Sequence, residues 1–160
     1  MSSDKTHEVS VLYLLPLRLS VGAALLFSGA SKISAGSWGA AYATKLTEFV
    51  TANVPNAFDF YRPFLESVVL PNATAFAVLV AWSELLIGIS IFLGLFTRFG
   101  AAAGIFLALN YTFAIGLGVW MPGSETLFIW ALFTLMISSA GRGIGVDGIL
   151  RRGKRIRLFT

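Results

Sequence analysis

Residues 81–99 read AWSELLIGISIFLGLFTRF, and one glutamate, Glu84, interrupts a run that is otherwise suited to hydrocarbon. The run belongs to an apolar segment over residues 73–96, which is long enough to cross a bilayer, because a spanning helix needs about 20 apolar residues. Glu84 falls near the centre of this segment. An ionised carboxylate at that depth is unfavourable unless it is paired, hydrated or neutralised. The stretch therefore predicts a membrane helix that carries an ion pair or a functional site.

The composition of the whole chain also indicates a membrane protein. Of its 160 residues, 56% are hydrophobic and only 12% are charged, whereas about 25% of the residues in soluble domains are charged. The chain has no cysteine, and its one histidine, His7, lies in a polar N-terminal segment. These counts exclude thiolate chemistry within the chain, and we expect no metal site. We expect one integral membrane domain over residues 1–160.

Four apolar segments qualify as membrane spans, and they predict the fold class: an all-α membrane protein, formed by a bundle of four transmembrane helices with an outer loop of short amphipathic helices. The spans are expected at residues 11–33, 73–96, 99–120 and 121–140, with the outer loop at 34–72 and a basic tail at 141–160.

The distribution of lysine and arginine predicts the orientation of these spans. Six of the twelve basic residues lie in the tail over residues 141–160. Arg98 lies in the turn between the second and third spans, on the same side as both termini. We therefore expect cytoplasmic N- and C-termini in a multi-pass protein of the cell (inner) membrane. A basic tail directly after an apolar span indicates lipid head groups as its partner and not nucleic acid.

The outer loop contains two stretches in which aromatic and aliphatic residues recur at helical spacing. The first includes Trp38, Tyr42 and Phe49, and the second includes Tyr61 and Phe64. We expect two short amphipathic helices at the outer surface. Two roles stay open for them: a cap that covers the bundle, or a lid over a ligand site or a docking surface for a partner.

Depth along the spans suggests partners for Glu84. Arg18 in the first span is offset in depth from Glu84 by only about 6 Å, at 1.5 Å per helical residue, and Asn110 lies near the middle of the third span. Arg18, Glu84 and Asn110 are therefore predicted to form one cluster. It is an ion pair that fixes helix register, a polar pocket for a quinone-like or other small head group, or a proton-accepting site. Lys32, at the outer end of the first span, is a candidate outer entrance to it.

Several motifs together resemble those of the DoxX-like membrane proteins. The first span contributes Leu17-Arg18-Leu19, Gly22, Phe27-Ser28-Gly29 and Lys32, and the second contributes Glu84 and Gly88, followed by the Leu93–Arg98 turn. The close of the fourth span contributes Ser139-Ala140-Gly141, followed by Gly145-Val146-Asp147. The resemblance implies a four-helix membrane bundle with cytoplasmic termini. By motif position it implies roles for Arg18, Lys32, Glu84 and Arg98. The family includes the small-subunit type of thiosulfate:quinone oxidoreductase, so a quinone is the cofactor that the resemblance implies.

Besides a third class, a small transporter or chaperone-like membrane protein, two functions stay open from the sequence. The first is an accessory or structural subunit of a membrane redox complex, whose partners are the lipid bilayer and other subunits. The alternative is the quinone-binding subunit of a thiosulfate:quinone-type oxidoreductase, with Arg18, Glu84 and Asn110 lining the pocket. Because the chain has no cysteine and no histidine within a span, an enzyme of that kind needs a partner chain. Whether this chain is itself enzymatic is left open.

Overall fold

A computed structural model describes residues 13–118, 120–121, 123–138 and 145. Within these residues the chain is helical and forms no strand, so the all-α prediction is confirmed. The basic tail predicted over residues 141–160 lies outside the described residues, apart from Gly145. The helices are α1 (Leu15–Ser34), α2 (Ala43–Asn53), α3 (Arg62–Phe64), α4 (Ala73–Leu93), α5 (Thr97–Ala114) and α6 (Ser124–Ser138), with a 3-10 segment (Ser37–Tyr42) before α2 and a π-helical turn (Leu65–Val69) after α3.

One described helix, α4, is long and apolar enough by itself to cross a membrane. A second candidate is the bent pair formed by α1 and Ser37–Asn53, whose axes meet at 108°. The apolar helix α6 has 15 residues and is about 22 Å long at 1.5 Å per residue, which is shorter than a hydrocarbon core of about 30 Å. The arrangement of four spans therefore stays a prediction.

Helices α1 and α4 pack antiparallel through glycines. A Cβ atom on Gly22 would lie 2.7 Å from the backbone nitrogen of Phe92, and one on Gly88 would lie 2.5 Å from the backbone nitrogen of Leu26. Gly29 approaches α4 equally closely. Small residues at an interface let two helix backbones come into direct contact. This contact fixes the register of α1 against α4, and the register decides which α1 side chains reach the middle of α4.

The two helices are staggered along their common axis. Gly29 faces Leu85, and α4 begins twelve residues before Leu85 whereas α1 ends five residues after Gly29. At 1.5 Å per residue, α4 extends about 10 Å beyond the end of α1. The chain bends sharply there, and Ser37 and Trp38 adopt left-handed φ angles of 51° and 57°. The end of α1 is therefore level with the middle of α4 and not with its start.

The buried apolar side chains form two separate clusters along α4 and α5. The inner cluster packs α1, α4, α5 and α6 together, and it contains Val21, Leu25, Ile87, Ile91, Ala101, Leu132 and Leu135. The outer cluster packs the segment between α1 and α4 onto the other ends of α4 and α5, and it contains Leu46, Val50, Ala57, Leu65, Val69, Ala77 and Ala114.

The loop between α2 and α3 is fixed onto the end of α5. The backbone N–H of Phe58 donates to the carbonyl oxygen of Phe113 at 3.3 Å. Gly116 has a φ of 70°, and a Cβ atom there would overlap the carbonyl oxygen of Asn56, so this contact requires glycine. The guanidinium of Arg62 donates to three carbonyl oxygens of the same loop. These contacts hold the outer segment against the bundle.

Candidate ligand-binding site

Glu84 lies in the middle of α4 and is buried, with 5% of its surface exposed. Its two carboxylate oxygens each accept a hydrogen bond from the ammonium of Lys32 at 2.5 Å. The hydroxyl of Ser28 donates to Oε2 at 2.8 Å. An ammonium partner and a hydroxyl donor together satisfy a carboxylate that is removed from water. The pair therefore carries no net charge into the bundle.

The sequence brings this pair together through the glycine contact of α1 and α4. Ser28 and Lys32 are four residues apart on α1, so they lie on neighbouring turns of one face. Gly29 lies between them, and Gly88 follows Glu84 by one turn on α4. Because the two backbones touch at these glycines, the short Ser28 side chain and the Lys32 ammonium both reach the Glu84 carboxylate.

Two tyrosines extend this charged cluster toward α5. The Lys32 Nζ atom lies 4.7 Å from the centroid of the Tyr42 ring, which is within cation–π range. The phenol of Tyr111, on α5, lies close to both the Glu84 carboxylate and the Tyr42 phenol. We call Ser28, Lys32, Tyr42, Glu84 and Tyr111 the charged cluster. It lies between the inner and outer clusters of apolar side chains.

A cavity of about 390 Å³ lies beside the charged cluster, between α2, α3, α4 and α5. Its volume is in the range of small-molecule pockets, and its walls are mostly aromatic and aliphatic side chains. Leu79 and Phe106 at its rim are 60% and 70% exposed, so the cavity opens sideways between α4 and α5. Four polar residues line it: Tyr61, Ser83, Asn110 and Tyr111.

Tyr61 and Asn110 form a hydrogen-bonded pair on the cavity wall. The hydroxyl of Tyr61 donates to Oδ1 of Asn110 at 2.6 Å, and Nδ2 of Asn110 donates to the carbonyl oxygen of Phe106 at 2.6 Å. Burial raises the pKa of Tyr61 to about 12. The hydroxyl therefore keeps its proton at neutral pH, and the pair presents neutral polar atoms to the cavity.

The structure does not bring Arg18 to Glu84. The Nη1 atom of Arg18 lies 2.9 Å from the position that a Cβ on Gly94 would take. Gly94 follows Glu84 by ten residues, or about 15 Å along a helix. The depth estimate from the sequence assumed that the first two spans are centred on one another. Because α1 is instead shifted along α4, Arg18 lies at the far end of α4 and Lys32 takes the expected place.

The other predicted site residues lie in three different settings. Asn110 contacts Tyr61 in the cavity wall and belongs to a separate part of the site from the ion pair. Lys32 is the direct partner of Glu84, because the end of α1 is level with the middle of α4. Arg98 is exposed at the second position of α5, directly after the turn that follows α4.

Sequence reasoning did not assign Tyr42, Tyr61, Ser83 or Tyr111 to the site. One available signal was the spacing of Gly22, Gly29 and Lys32, which places all three on one face of α1. A glycine face indicates close helix contact, so the lysine on that face is well placed to reach the facing helix. The tyrosines of the loop had no such signal, because their positions depend on how the loop folds back.

Comparison of the sequence with known proteins identifies the family of this chain. No curated protein and no solved structure matches the chain. The sequence profile of DoxX matches residues 13–117, which include α1 to α5, the Lys32–Glu84 pair and the whole cavity. The match covers most of the chain, and the chain belongs to the DoxX family of membrane proteins.

Proposed function

We propose that this protein crosses the membrane four times, holds a quinone-class ligand in the cavity, and acts as an accessory subunit of a membrane redox complex. The observation that carries this proposal is the shape and chemistry of the cavity. It is apolar over nearly all of its wall, it has four hydrogen-bonding side chains, and it opens sideways. A ring with polar oxygens fits such a wall, and its alkyl tail can leave through the side opening into lipid.

Exposed apolar side chains support four spans formed by α1, α4, α5 and α6. Phe27 on α1, Leu86 on α4, Phe106 on α5 and Leu127 on α6 are 77%, 59%, 70% and 71% exposed. Exposed apolar residues on four helices are unfavourable in water and are the ordinary surface of a protein in lipid. We place both termini on the cytoplasmic side, as the distribution of lysine and arginine indicates.

The need for a partner chain follows from the residues themselves. A bound quinone gains or loses electrons only if a donor or acceptor is near. The chain has no cysteine, and its single histidine is His7, so it offers no thiolate or imidazole ligand for a haem or an iron–sulfur cluster within its spans. The redox centre is therefore supplied by another subunit, and oxidation of thiosulfate is one reaction that the DoxX family suggests for that subunit.

A purely structural accessory role is the second candidate. It is favoured by the charged cluster, in which Glu84 is already engaged by Lys32 and Ser28. An ion pair that is satisfied within the chain fixes helix register without any ligand. In that case lipid tails or a side chain of the partner fill the cavity.

A variant that fills the cavity distinguishes the ligand-binding role from the purely structural role. Ser83 lines the cavity on α4, so Ser83→Trp places an indole in the ligand volume. Leu86→Trp is the matched control, because Leu86 lies on the same helix, is 59% exposed and faces away from the cavity. Each protein is purified in lipid nanodiscs from quinone-containing membranes, and the extracted quinone per chain is quantified by mass spectrometry.

We expect about one quinone per chain in the wild-type protein and in Leu86→Trp, and a loss of at least about tenfold in Ser83→Trp, since an overfilled pocket excludes the ring. The ligand role is rejected if the wild-type protein carries no more quinone than empty nanodiscs. It is also rejected if Ser83→Trp retains as much quinone as the control, and the structural role then stands.

A further inference from the structure

We infer that the cavity selects a head group that bears a hydroxyl over one that offers only carbonyl oxygens, so that within the quinone class it binds the reduced quinol in preference to the oxidised quinone. The residues that set this preference are Tyr61 and Asn110. The inference rests on the proposed function for the identity of the ligand class, but the same hydrogen-bond preference applies to any apolar molecule of this size.

The orientation of the Asn110 side-chain amide is fixed by its own helix. The carbonyl oxygen of Phe106 accepts a hydrogen bond from Asn110 at 2.6 Å. A carbonyl oxygen only accepts, so the amide nitrogen Nδ2 must face Phe106. The amide oxygen Oδ1 must then face Tyr61. An amide flipped the other way would set two oxygen atoms against each other at that distance.

Because Oδ1 of Asn110 faces Tyr61, the single proton of the Tyr61 hydroxyl is used in the hydrogen bond to Asn110. The Tyr61 oxygen lies 2.6 Å from Oδ1 of Asn110, which is an acceptor, so the tyrosine donates. Burial raises the pKa of Tyr61 to about 12, and the hydroxyl stays protonated at neutral pH. Since a hydroxyl has one hydrogen, Tyr61 offers a ligand only its oxygen lone pairs.

Of the remaining polar groups on the cavity wall, the phenol of Tyr111 is engaged with Glu84 and Tyr42 in the charged cluster, and the others do not discriminate between the two head groups. The hydroxyl of Ser83 either donates or accepts, because no described hydrogen bond fixes its direction. The second amide hydrogen of Asn110 donates equally well to a hydroxyl oxygen and to a carbonyl oxygen. The preference therefore depends on Tyr61, because its only proton is donated to Asn110 and its oxygen can only accept a hydrogen bond from the ligand.

A ligand hydroxyl can donate to the Tyr61 oxygen and accept from a neighbouring donor. A quinone carbonyl can only accept, and beside Tyr61 it would place one lone pair against another. The lost hydrogen bond, within a largely apolar cavity, corresponds to a difference in affinity of about tenfold. The protein would thus hold the product of quinone reduction more firmly than its precursor.

A matched pair of redox-inert probes tests this preference directly. The probes are para-hexylphenol, which carries a hydroxyl donor, and its methyl ether, which does not. Their dissociation constants are measured by calorimetric titration of the full-length protein in nanodiscs, and so are those of a decyl-substituted benzoquinone and its quinol. We expect the phenol to bind about tenfold more tightly than the ether, and the quinol to bind about tenfold more tightly than the quinone.

The variant Asn110→Leu tests whether the hydrogen bond from Tyr61 to Asn110 sets the preference for the phenol over the ether. Leucine has nearly the shape of asparagine but no acceptor, so the Tyr61 hydroxyl becomes free to donate. We expect the ratio of ether to phenol dissociation constants to fall about tenfold, toward that of free partitioning. Ser83→Ala should weaken both probes and leave their ratio unchanged. Tyr13→Phe is a matched tyrosine substitution at a 77% exposed position outside the cavity, and it should change neither affinity.

The binding results bear separately on the preference, on the roles of Tyr61 and Asn110, and on the proposed function. Equal affinities for phenol and ether in the wild-type protein, or tighter binding of the quinone than of the quinol, overturn the preference and leave the ligand site standing. An unchanged ratio in a folded Asn110→Leu protein, checked by its melting temperature, overturns the roles of Tyr61 and Asn110. Absence of saturable binding for all four probes overturns the proposed function itself. Should Asn110→Leu not fold, the two wild-type comparisons alone decide the preference.

Discussion

The inner and outer clusters are built on the same two helices but pack in opposite ways. In the inner cluster, glycines on α1 and α4 bring these two backbones into contact, and glycines on α5 receive side chains of α4 and α6, so that little space is left between the helices. In the outer cluster, aromatic side chains from the folded-back loop fill the space between α4 and α5 incompletely, and a cavity of about 390 Å³ is left. Close glycine packing therefore builds the scaffold, whereas the loop aromatics leave a cavity.

The charged cluster marks the junction of these two regions. Glu84 follows Ala81, in the outer half of α4, and precedes Ile87 of the inner cluster. Its partner Lys32 ends the tight contact of α1 with α4, and its neighbour Tyr111 lines the cavity. A change at this junction should affect both regions, and a change within one region should affect that region alone.

The largest effect is expected from breaking the buried pair at the junction. Lys32→Met leaves the Glu84 carboxylate without its ammonium, and removal of one partner of a buried pair costs about 3–5 kcal/mol. The double variant Lys32→Met with Glu84→Met removes both charges and should recover most of that loss. The free energy of unfolding is measured by titration of the reconstituted protein with dodecyl sulfate. A single variant no less stable than the double one would show that the pair does not join the two regions.

The next largest effect concerns the inner cluster. In Gly88→Ala the new methyl group would lie 2.5 Å from the backbone nitrogen of Leu26, so α1 and α4 must move apart, at a cost of about 1–3 kcal/mol. Gly118→Ala is the control, because the nearest atom to a Cβ there is 3.9 Å away. The same unfolding titration compares the two. Equal stability of the two variants would contradict the glycine-contact account of the inner region.

A smaller and local effect is expected in the outer region. Gly116→Ala forces a methyl group into the carbonyl oxygen of Asn56 and onto a residue with a φ of 70°, which is strained for any residue with a Cβ. We expect amide hydrogen exchange in α2 and α3 to become about tenfold faster, with no change in α1 and α6. Faster exchange throughout the protein would show that the two regions do not open independently.

The smallest effect is expected at the loop surface. Asp59 pairs with Arg62 at 3.3 Å but is 95% exposed, so Asp59→Ala should cost less than about 0.5 kcal/mol. Arg62→Ala should cost about 1–2 kcal/mol, because the guanidinium also donates to backbone carbonyl oxygens at the end of α2. Thermal unfolding curves of the two variants give the comparison. Equal shifts would mean that the surface pair, and not the carbonyl contacts, holds this loop.

Sequence reasoning could predict the helical fold class and the need of Glu84 for a compensating partner, because both follow from properties of single segments. A long apolar run favours a helix, and a carboxylate within it demands compensation. It could not predict the partner of that carboxylate, since the partner depends on the stagger of α1 against α4. When α1 is shifted by two turns along α4, Lys32 instead of Arg18 comes level with Glu84. Nothing in the hydropathy of either span fixes that shift.

The cavity was even harder to predict from the sequence than the partner of Glu84. Its walls come from helices that are distant in the chain, and Asn110 meets Tyr61 across 49 positions. That contact depends on the docking of the loop at Gly116 and on the bend after α1. Helical spacing predicted short helices within the loop, but it did not predict whether they cover the bundle from above or pack between α4 and α5.

We propose a ligand site in the space between α4 and α5 in the outer region. Photo-crosslinking with a benzoquinone that carries a diazirine on its tail tests it most directly, with peptide mapping of the labelled protein in nanodiscs. We expect labels on the residues of α4 and α5 that line the cavity, and their loss in Ser83→Trp. Labels spread evenly over the lipid-facing surfaces of α1, α4, α5 and α6, and unchanged in Ser83→Trp, would contradict it.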